Sequence, residues 1–281
     1  MKYQAKLHCE GFIFPEAPRW HRGSFYCCSI DEGTKKIFLK IDDWLSGWAF
    51  LSPESDEIIL TSCKSKKLLR WNGTGEPTEV ADISELVVFG INDMICTKNG
   101  VSFVDSVQFI FGQVPLDQAP KSPIIRVDAQ GNYSYATDET FFPNGMVITP
   151  DNKHLLAADT LGHCIHKWEL TNDDQLINHS IFASVPNTQP DGMCMDADGG
   201  IWFASATNHR VYRVIEGGEI TDEVDMGETQ ATACMLGGED GCKLLITASD
   251  SHDRTVIYDN PTGRLFTSKV KVPGAGLPSW Y

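Results

Sequence analysis

One phrase occurs twice in this chain and limits what it can fold into. Residues 142–170 read FPNGMVITPDNKHLLAADTLGHCIHKWEL, with apolar runs at 146–148 and 155–158 separated by the turn Thr149-Pro150-Asp151-Asn152, then an alternating stretch at 164–170. This is the pattern of short strands joined by tight turns. Residues 189–214 repeat it as QPDGMCMDADGGIWFASATNHRVYRV, with Pro190-Asp191-Gly192-Met193 standing where Pro143-Asn144-Gly145-Met146 stood. Self-similarity at such a period marks a fold assembled from one supersecondary unit, because a single unit cannot bury its own apolar face.

Weaker copies fill the rest of the chain. The first runs from Phe14-Pro15-Glu16-Ala17-Pro18-Arg19-Trp20 through strands at 24–30 and 35–41; the second holds Gly47-Trp48-Ala49-Phe50, then strands at 57–61 and 66–71. The third opens at Ile91-Asn92-Asp93-Met94, with strands at 101–104 and 124–127, and the last has strands at 232–236, 243–248 and 255–258. Six units of about four strands each predict a six-bladed β-propeller, all-β, with residues 1–281 as one domain. Two β-sandwich domains are the alternative, but no Pro/Gly/Ser-rich linker divides the chain. Closure is expected to pair 2–7 or 12–14 with 265–272, which removes the open sheet edges.

A formal charge of −15 argues against nucleic acid and anionic membrane surfaces as partners, since both require a basic patch. No apolar run reaches membrane-spanning length, and MKYQAKLHCEGF carries no signal-peptide pattern, so a soluble, cytoplasmic protein is expected, as monomer or small homo-oligomer. The nine cysteines lack CxxC pairs and fall mostly in strand-like runs, which reads as buried thiols in a reducing compartment.

Aligning the units on their turns brings one position of each together: Glu16, Ser46, Asn92, Asn144, Asp191, and Ala231 or Thr232. The first strand of a propeller blade lines the central channel, so these side chains should converge at one mouth. Two ionised carboxylates sharing a site repel unless a proton or a cation comes between them. No Lys or Arg stands at the equivalent positions, so a divalent cation is the natural partner of Glu16, Asn144 and Asp191, with Asn92 near enough to join. All-oxygen ligands favour Ca²⁺ first, then Mg²⁺ or Mn²⁺, with Zn²⁺ the remaining alternative. Asn-Gly and Asp-Gly are also common turn dipeptides. Here both follow proline, precede methionine and stand before a first strand rather than between strands.

PEAPRW at 15–20, the Asn92-Asp93 pair, FPNGMVITPDNKHLLAAD, PDGMCMDADGGIWFAS and QATACMLGG at 230–238 together resemble the blade-start motifs of the senescence-marker-protein, gluconolactonase and luciferin-regenerating-enzyme family. The resemblance implies a six-bladed propeller with one catalytic divalent ion on Glu16, Asn144 and Asp191, and lactone hydrolysis with Asn92 contacting substrate or the ion's water. Two departures bear on the substrate. Sugar-lactone members carry an arginine where Gly90 stands, and acidic hydroxyl binders where Ser106-Val107-Gln108-Phe109-Ile110-Phe111 stands here. A substrate less polar than a sugar lactone follows.

The insert 108–123 falls on the ligand face, where Phe109 and Phe111 could bind substrate as parts of a lid or pack as an ordinary loop. Asp105, Asp159, Ser205 and Ser249 end second strands on that face, as turn caps or as groups that orient ligands from behind. His163 and His166 read as structural or exposed; His209 and His252 are candidates to reach the mouth. Asp191 is the expected general base, able to ligate through one oxygen and take a proton on the other. No G-x-S-x-G or Ser/His/Asp arrangement supports a serine hydrolase. Other Lewis-acid chemistry, such as phosphotriester hydrolysis, hydration or isomerisation, and a non-enzymatic ligand-binding propeller are the rival functions.

Overall fold

The computed structural model describes residues 1–28, 39, 41–52, 54, 56–251, 254–259 and 261–277. Most of the strand expected at 35–41 and the end of that expected at 24–30 lie outside the described residues, as does His252, and residues 39 and 41 are not in a strand.

The chain opens with β1 (Lys2–Gln4) and β2 (Lys6–Phe12), then forms a two-stranded sheet, β3 (Glu16–His21) with β4 (Ser24–Cys28). Antiparallel meanders follow in sequence order. They are β5 (Trp48–Phe50), β6 (Ile58–Ser62), β7 (Lys67–Trp71) and β8 (Thr78–Asp82); then β9 (Met94–Cys96), β10 (Ser102–Val104), β11 (Ile125–Val127) and β12 (Tyr133–Tyr135). The repeated phrases give β13 (Pro143–Ile148), β14 (His154–Asp159), β15 (Cys164–Leu170) and β16 (Leu176–Ser184), then β17 (Pro190–Asp196), β18 (Ile201–Ser205), β19 (Arg210–Val214) and β20 (Ile220–Asp225). The last sheet contains β21 (Gln230–Gly237), β22 (Lys243–Ser249) and β23 (Gly263–Lys269), with α1 (Arg254–Asp259) between β22 and β23; β24 (Gly274–Leu277) pairs with β17.

First strands pack on first strands: β5 on β9, β9 on β13, β13 on β17, β17 on β21, and β21 on β3. Trp48 Nε1 donates to Ala17 O over 3.0 Å and ties β5 to β3. The result is an all-β, propeller-like arrangement. Its core lies between neighbouring sheets: Val147, Leu156 and Ile165 of one meet Met193, Phe203 and Val214 of the next, all buried. Alternation along each strand supplies one such row to each face, which is why both repeated phrases are apolar almost throughout.

Two expectations about the ends are refined. Residues 255–258 belong to α1 and not to a strand, because the place beside β22 is taken by β23 in an unbroken register from Lys243↔Lys269 to Ala248↔Arg264. A β-branched run has nothing to pair with there, and local propensity yields to tertiary context. Closure does pair the N-terminal region with the last sheet, through β2 against β23, and β1 additionally lies parallel to β20 of the preceding sheet. No helix among the described residues is long and apolar enough to cross a membrane.

Candidate metal and catalytic site

Ser46 and Asn92 precede β5 and β9, as expected, whereas Glu16, Asn144, Asp191 and Thr232 lie inside β3, β13, β17 and β21, at or beside bulges. Pairing shifts between Glu16 and Arg19 in β3, between Pro143 and Met146 in β13, between Pro190 and Met193 in β17, and between Ala231 and Ala233 in β21. A bulge inserts an extra residue, bends its strand and re-aims the side chain. In β13, β17 and β21 the residues skipped by the pairing include Asn144, Asp191 and Thr232; in β3 they are Ala17 and Pro18, and Glu16, paired with Cys28, stands at the edge of the bulge.

The residue after each bulge must be small, because neighbouring first strands touch there. A Cβ at Gly145 would lie 2.7 Å from Asp191 O and Met193 N, and one at Gly192 would lie 2.2 Å from Ala233 Cβ. A Cβ at Gly47 would meet Asn92 O and Met94 N at 2.7 Å, the same two backbone positions of the next strand. Asn92 is therefore the register equivalent of Asp191, as the repeat predicts, and Asp93 stands where the other strands have glycine or alanine.

Asn144 and Asp191 are buried, while Glu16 and Asn92 keep partial exposure. Side chains hold them in place. The Asn144 amide hydrogen-bonds Asp191 and donates to Thr160 Oγ1 at 3.4 Å, and Thr160 in turn donates to Pro190 O at 2.8 Å. Thr232 hydrogen-bonds Glu16 and donates to Pro15 O at 3.0 Å. The Asn92 and Asp93 amides donate to the Asp105 carboxylate at 2.6 and 2.9 Å, as the Phe141 and Phe142 amides do to Asp159 at 2.8 and 2.9 Å. Asp105 and Asp159 thus fix the backbone that leads into β9 and β13.

Burial pushes Asp191 up to about 8, the Asp93 charge adds to it, and the Gly192 amide and Asn144 work against it. Burial, followed by the charges of Asp191 and Asp93, holds Glu16 well above the usual carboxylate range. Two buried carboxylates with raised proton affinity, the charge of Asp191 acting on Glu16, form with an amide side chain a hard oxygen donor set, and that set fits a divalent cation such as Ca²⁺.

Sequence reasoning passed over Asp93 and Arg19. Arg19 is buried and spans three first strands: Nε donates to Trp48 O at 3.0 Å, Nη2 to Met94 O at 3.3 Å, and Nη2 lies 3.5 Å from Asp93 Oδ1. The available signal was the break in the small-residue pattern at Asp93.

The insert after β10 reaches this end of β13. Phe109 and Phe111 lie 6.0 and 5.9 Å, ring to ring, from Phe142, and Phe89 lies 5.4 Å from Phe111. Phe109 is buried, so the ring that meets solvent is Phe111, 49 % exposed, beside exposed Ile110 and Phe141. Gln108 pins the base of the insert by donating to Leu86 O at 2.7 Å. A Cβ at Gly90 would stand 3.3 Å from Cys63 O of the adjacent sheet, so the backbone runs close to its neighbour there. His163 is exposed at a left-handed turn, His166 is buried, and His209 also takes a left-handed turn conformation.

The sequence profile described as "SMP-30/Gluconolactonase/LRE-like region" matches residues 14–250. The chain belongs to this family. Among curated relatives, 6-deoxy-6-sulfogluconolactonase of Pseudomonas putida is 29 % identical over 160 residues, covering 55 % of each chain. The chain spans about half the length of the curated relatives it matches. Two solved structures of the same fold are a luciferin-regenerating enzyme (TM-score 0.79, 16 % identity, 97 % of each chain) and regucalcin from Agrobacterium tumefaciens, described as a calcium-binding protein (TM-score 0.77, 18 % identity, 100 % of this chain and 98 % of that one).

Proposed function

We propose that residues 1–281 form one six-bladed propeller domain acting as a divalent-cation-dependent lactonase on a small, largely apolar substrate, in the cytoplasm, as monomer or small homo-oligomer. The observation that carries this reading is the juxtaposition of Glu16 and Asp191, two carboxylates of raised proton affinity, the charge of Asp191 acting on Glu16, beside the amide of Asn144. Buried thiols at Cys28, Cys63, Cys194 and Cys234 suit a reducing compartment.

Glu16, Asn144 and Asp191 would hold the cation, with Ca²⁺ preferred over Mg²⁺, Mn²⁺ and Zn²⁺. When bound, it supplies Lewis acidity toward the ester carbonyl. Asp191 accepts a proton from water as the water oxygen bonds to the carbonyl carbon. The ring C–O bond then breaks, and the leaving alkoxide takes that proton, giving the hydroxy acid. Asn92, partly exposed at the register position of Asp191, orients the substrate through its side-chain amide. Phe111 and the apolar side chains around it receive the substituent and exclude water. Gly90 offers no charged group for a polyol.

The relative named 6-deoxy-6-sulfogluconolactonase supports ring-opening hydrolysis as the reaction class, and the regucalcin described as calcium-binding supports the cation. A panel of γ- and δ-lactones, assayed with Ca²⁺ and after chelation, tests the proposal. Cation-dependent ring opening is expected; turnover that survives verified cation removal overturns it.

A further inference from the structure

Away from the first strands, the hairpin between β14 and β15 gathers a second set of ligand-type side chains. Donor atoms of Asp159, Cys164 and His166 lie within 4.8 Å of one another. Strand register produces the cluster: Asp159 pairs directly with Cys164, and His166 lies two residues further along β15, on the same face. His166 Nε2 faces both partners, at 3.2 Å from Asp159 Oδ2 and 3.4 Å from Cys164 Sγ.

Those separations match a tetrahedral ion. Ligands about 2.0 to 2.3 Å from Zn²⁺ stand roughly 3.3 to 3.7 Å from each other. The donors are also held from behind. His166 Nδ1 lies 2.7 Å from His179 Nε2 on β16, and the His166 ring stacks on Trp168 with centroids 5.3 Å apart. Asp159 accepts the Phe141, Phe142 and Gly162 amides at 2.8 to 2.9 Å. A Cβ at Gly162 would intrude to 2.6 Å from Asp159 Oδ2, so glycine leaves the space beside that oxygen open.

We infer that Asp159, Cys164 and His166 form a second cation site, built for a borderline-soft divalent metal of the Zn²⁺ class, with water as the fourth ligand. The sulfur and imidazole donors separate it from the all-oxygen set at the mouth, which suits a harder ion. Binding replaces the Cys164 thiol proton, so one proton leaves per metal. Ligation through Nε2 requires the His166 ring proton to sit on Nδ1, from which it donates to His179 Nε2. The ion clamps Asp159, and with it the Phe141 and Phe142 amides that lead into β13.

Cobalt(II) titration of the metal-stripped full chain tests this, because a cysteine thiolate bound to Co²⁺ gives a near-ultraviolet charge-transfer band. The band should appear in the wild type and in Asp191→Asn, disappear in Cys164→Ser and His166→Gln, and need about ten- to a hundredfold more Co²⁺ in His179→Ala. No band in the wild type, or a band that survives Cys164→Ser, overturns the site. If Cys164→Ser does not fold, alkylation of the wild-type thiol read by mass spectrometry decides. Protection of Cys164 by Zn²⁺ is expected, and an unchanged alkylation rate refutes it.

Discussion

Asp93 Oδ1 lies 3.5 Å from the Arg19 guanidinium, where Arg19 bridges β3, β5 and β9, and the charge of Asp93 raises the proton affinity of both Glu16 and Asp191. This carboxylate occupies the place that Gly145, Gly192 and Ala233 fill on other strands. It therefore adds negative potential to the mouth without taking up ligand space. The substitution Asp93→Asn should lower the pH at which Asp191 ionises and weaken Ca²⁺ binding by about tenfold, the size of one charge interaction in a partly shielded site. Calorimetric titration of this variant against the wild type measures both. Unchanged affinity would show that Arg19 neutralises Asp93 completely.

Stability of the cation-free protein should fall as pH rises. The folded-state value of Asp191 is about 8 against an ordinary 3.8, so the folded chain binds the proton more tightly than the unfolded chain between those values. Where the folded state holds more protons, unfolding free energy decreases with rising pH. The penalty is absent below about pH 4 and complete above about pH 8. Scanning calorimetry should show the melting temperature dropping across that window, with Glu16 and Asp105, both raised by burial, acting in the same direction. Excess Ca²⁺ should flatten the decline, adding about 2.7 kcal/mol at a hundred times its dissociation constant.

Asp191→Asn keeps an oxygen donor and removes both charge and basicity. Turnover should fall by about a hundredfold or more, the usual loss when acid–base help is removed. Asn92→Ala should act mainly on KM. Steady-state kinetics on one lactone separates the two, and an Asn92→Ala variant that loses Ca²⁺ while Asp191→Asn stays fully active would reverse the assignments.

The aromatic insert predicts a chain-length effect. Catalytic efficiency should rise along a series of alkyl-substituted lactones, each buried methylene contributing about 0.8 kcal/mol, with gluconolactone poor. Phe111→Ala should flatten that rise while leaving the melt nearly unchanged, because the ring is half exposed. Phe109→Ala should instead cost stability, about 3 to 5 kcal/mol, since its ring is buried. A flat series with gluconolactone the best substrate would place sugar recognition elsewhere.

Gly192→Ala probes the contact between first strands. The new methyl group would overlap Ala233 Cβ, so a loss of about 1 to 3 kcal/mol and a lower melting temperature are expected. Ala233→Gly in the same chain should restore part of the loss.

The repeat was readable because two phrases share turn chemistry and apolar alternation, and β15 spans the same residues, 164–170, that alternation marks. The register of Asn92 with Asp191 was readable for the same reason. Asp93 and Arg19 were not, because their significance is that they meet across strands far apart in the chain, which local spacing does not encode. Nor was α1, whose β-branched residues look like a strand until β23 takes the place beside β22. The Asp159–Cys164–His166 cluster escaped notice because its spacing follows no metal-binding motif; the hairpin register brings the three together. The site residues themselves were named from alignment of the copies, while the bulges that aim them appear only once pairing is known.

The clasp of β1 and β2 sets an order of events. Ser268 Oγ donates to Gln4 O across 264 positions, and among the described residues β2 finds its pairing partner in β23. During synthesis β1 and β2 must therefore wait, without these partners, until β20 and β23 have been made. Contacts this distant in sequence are slow to form. These pairings consequently form late relative to β1 and β2 themselves, which remain available for mispairing with a neighbouring nascent chain until β20 and β23 arrive.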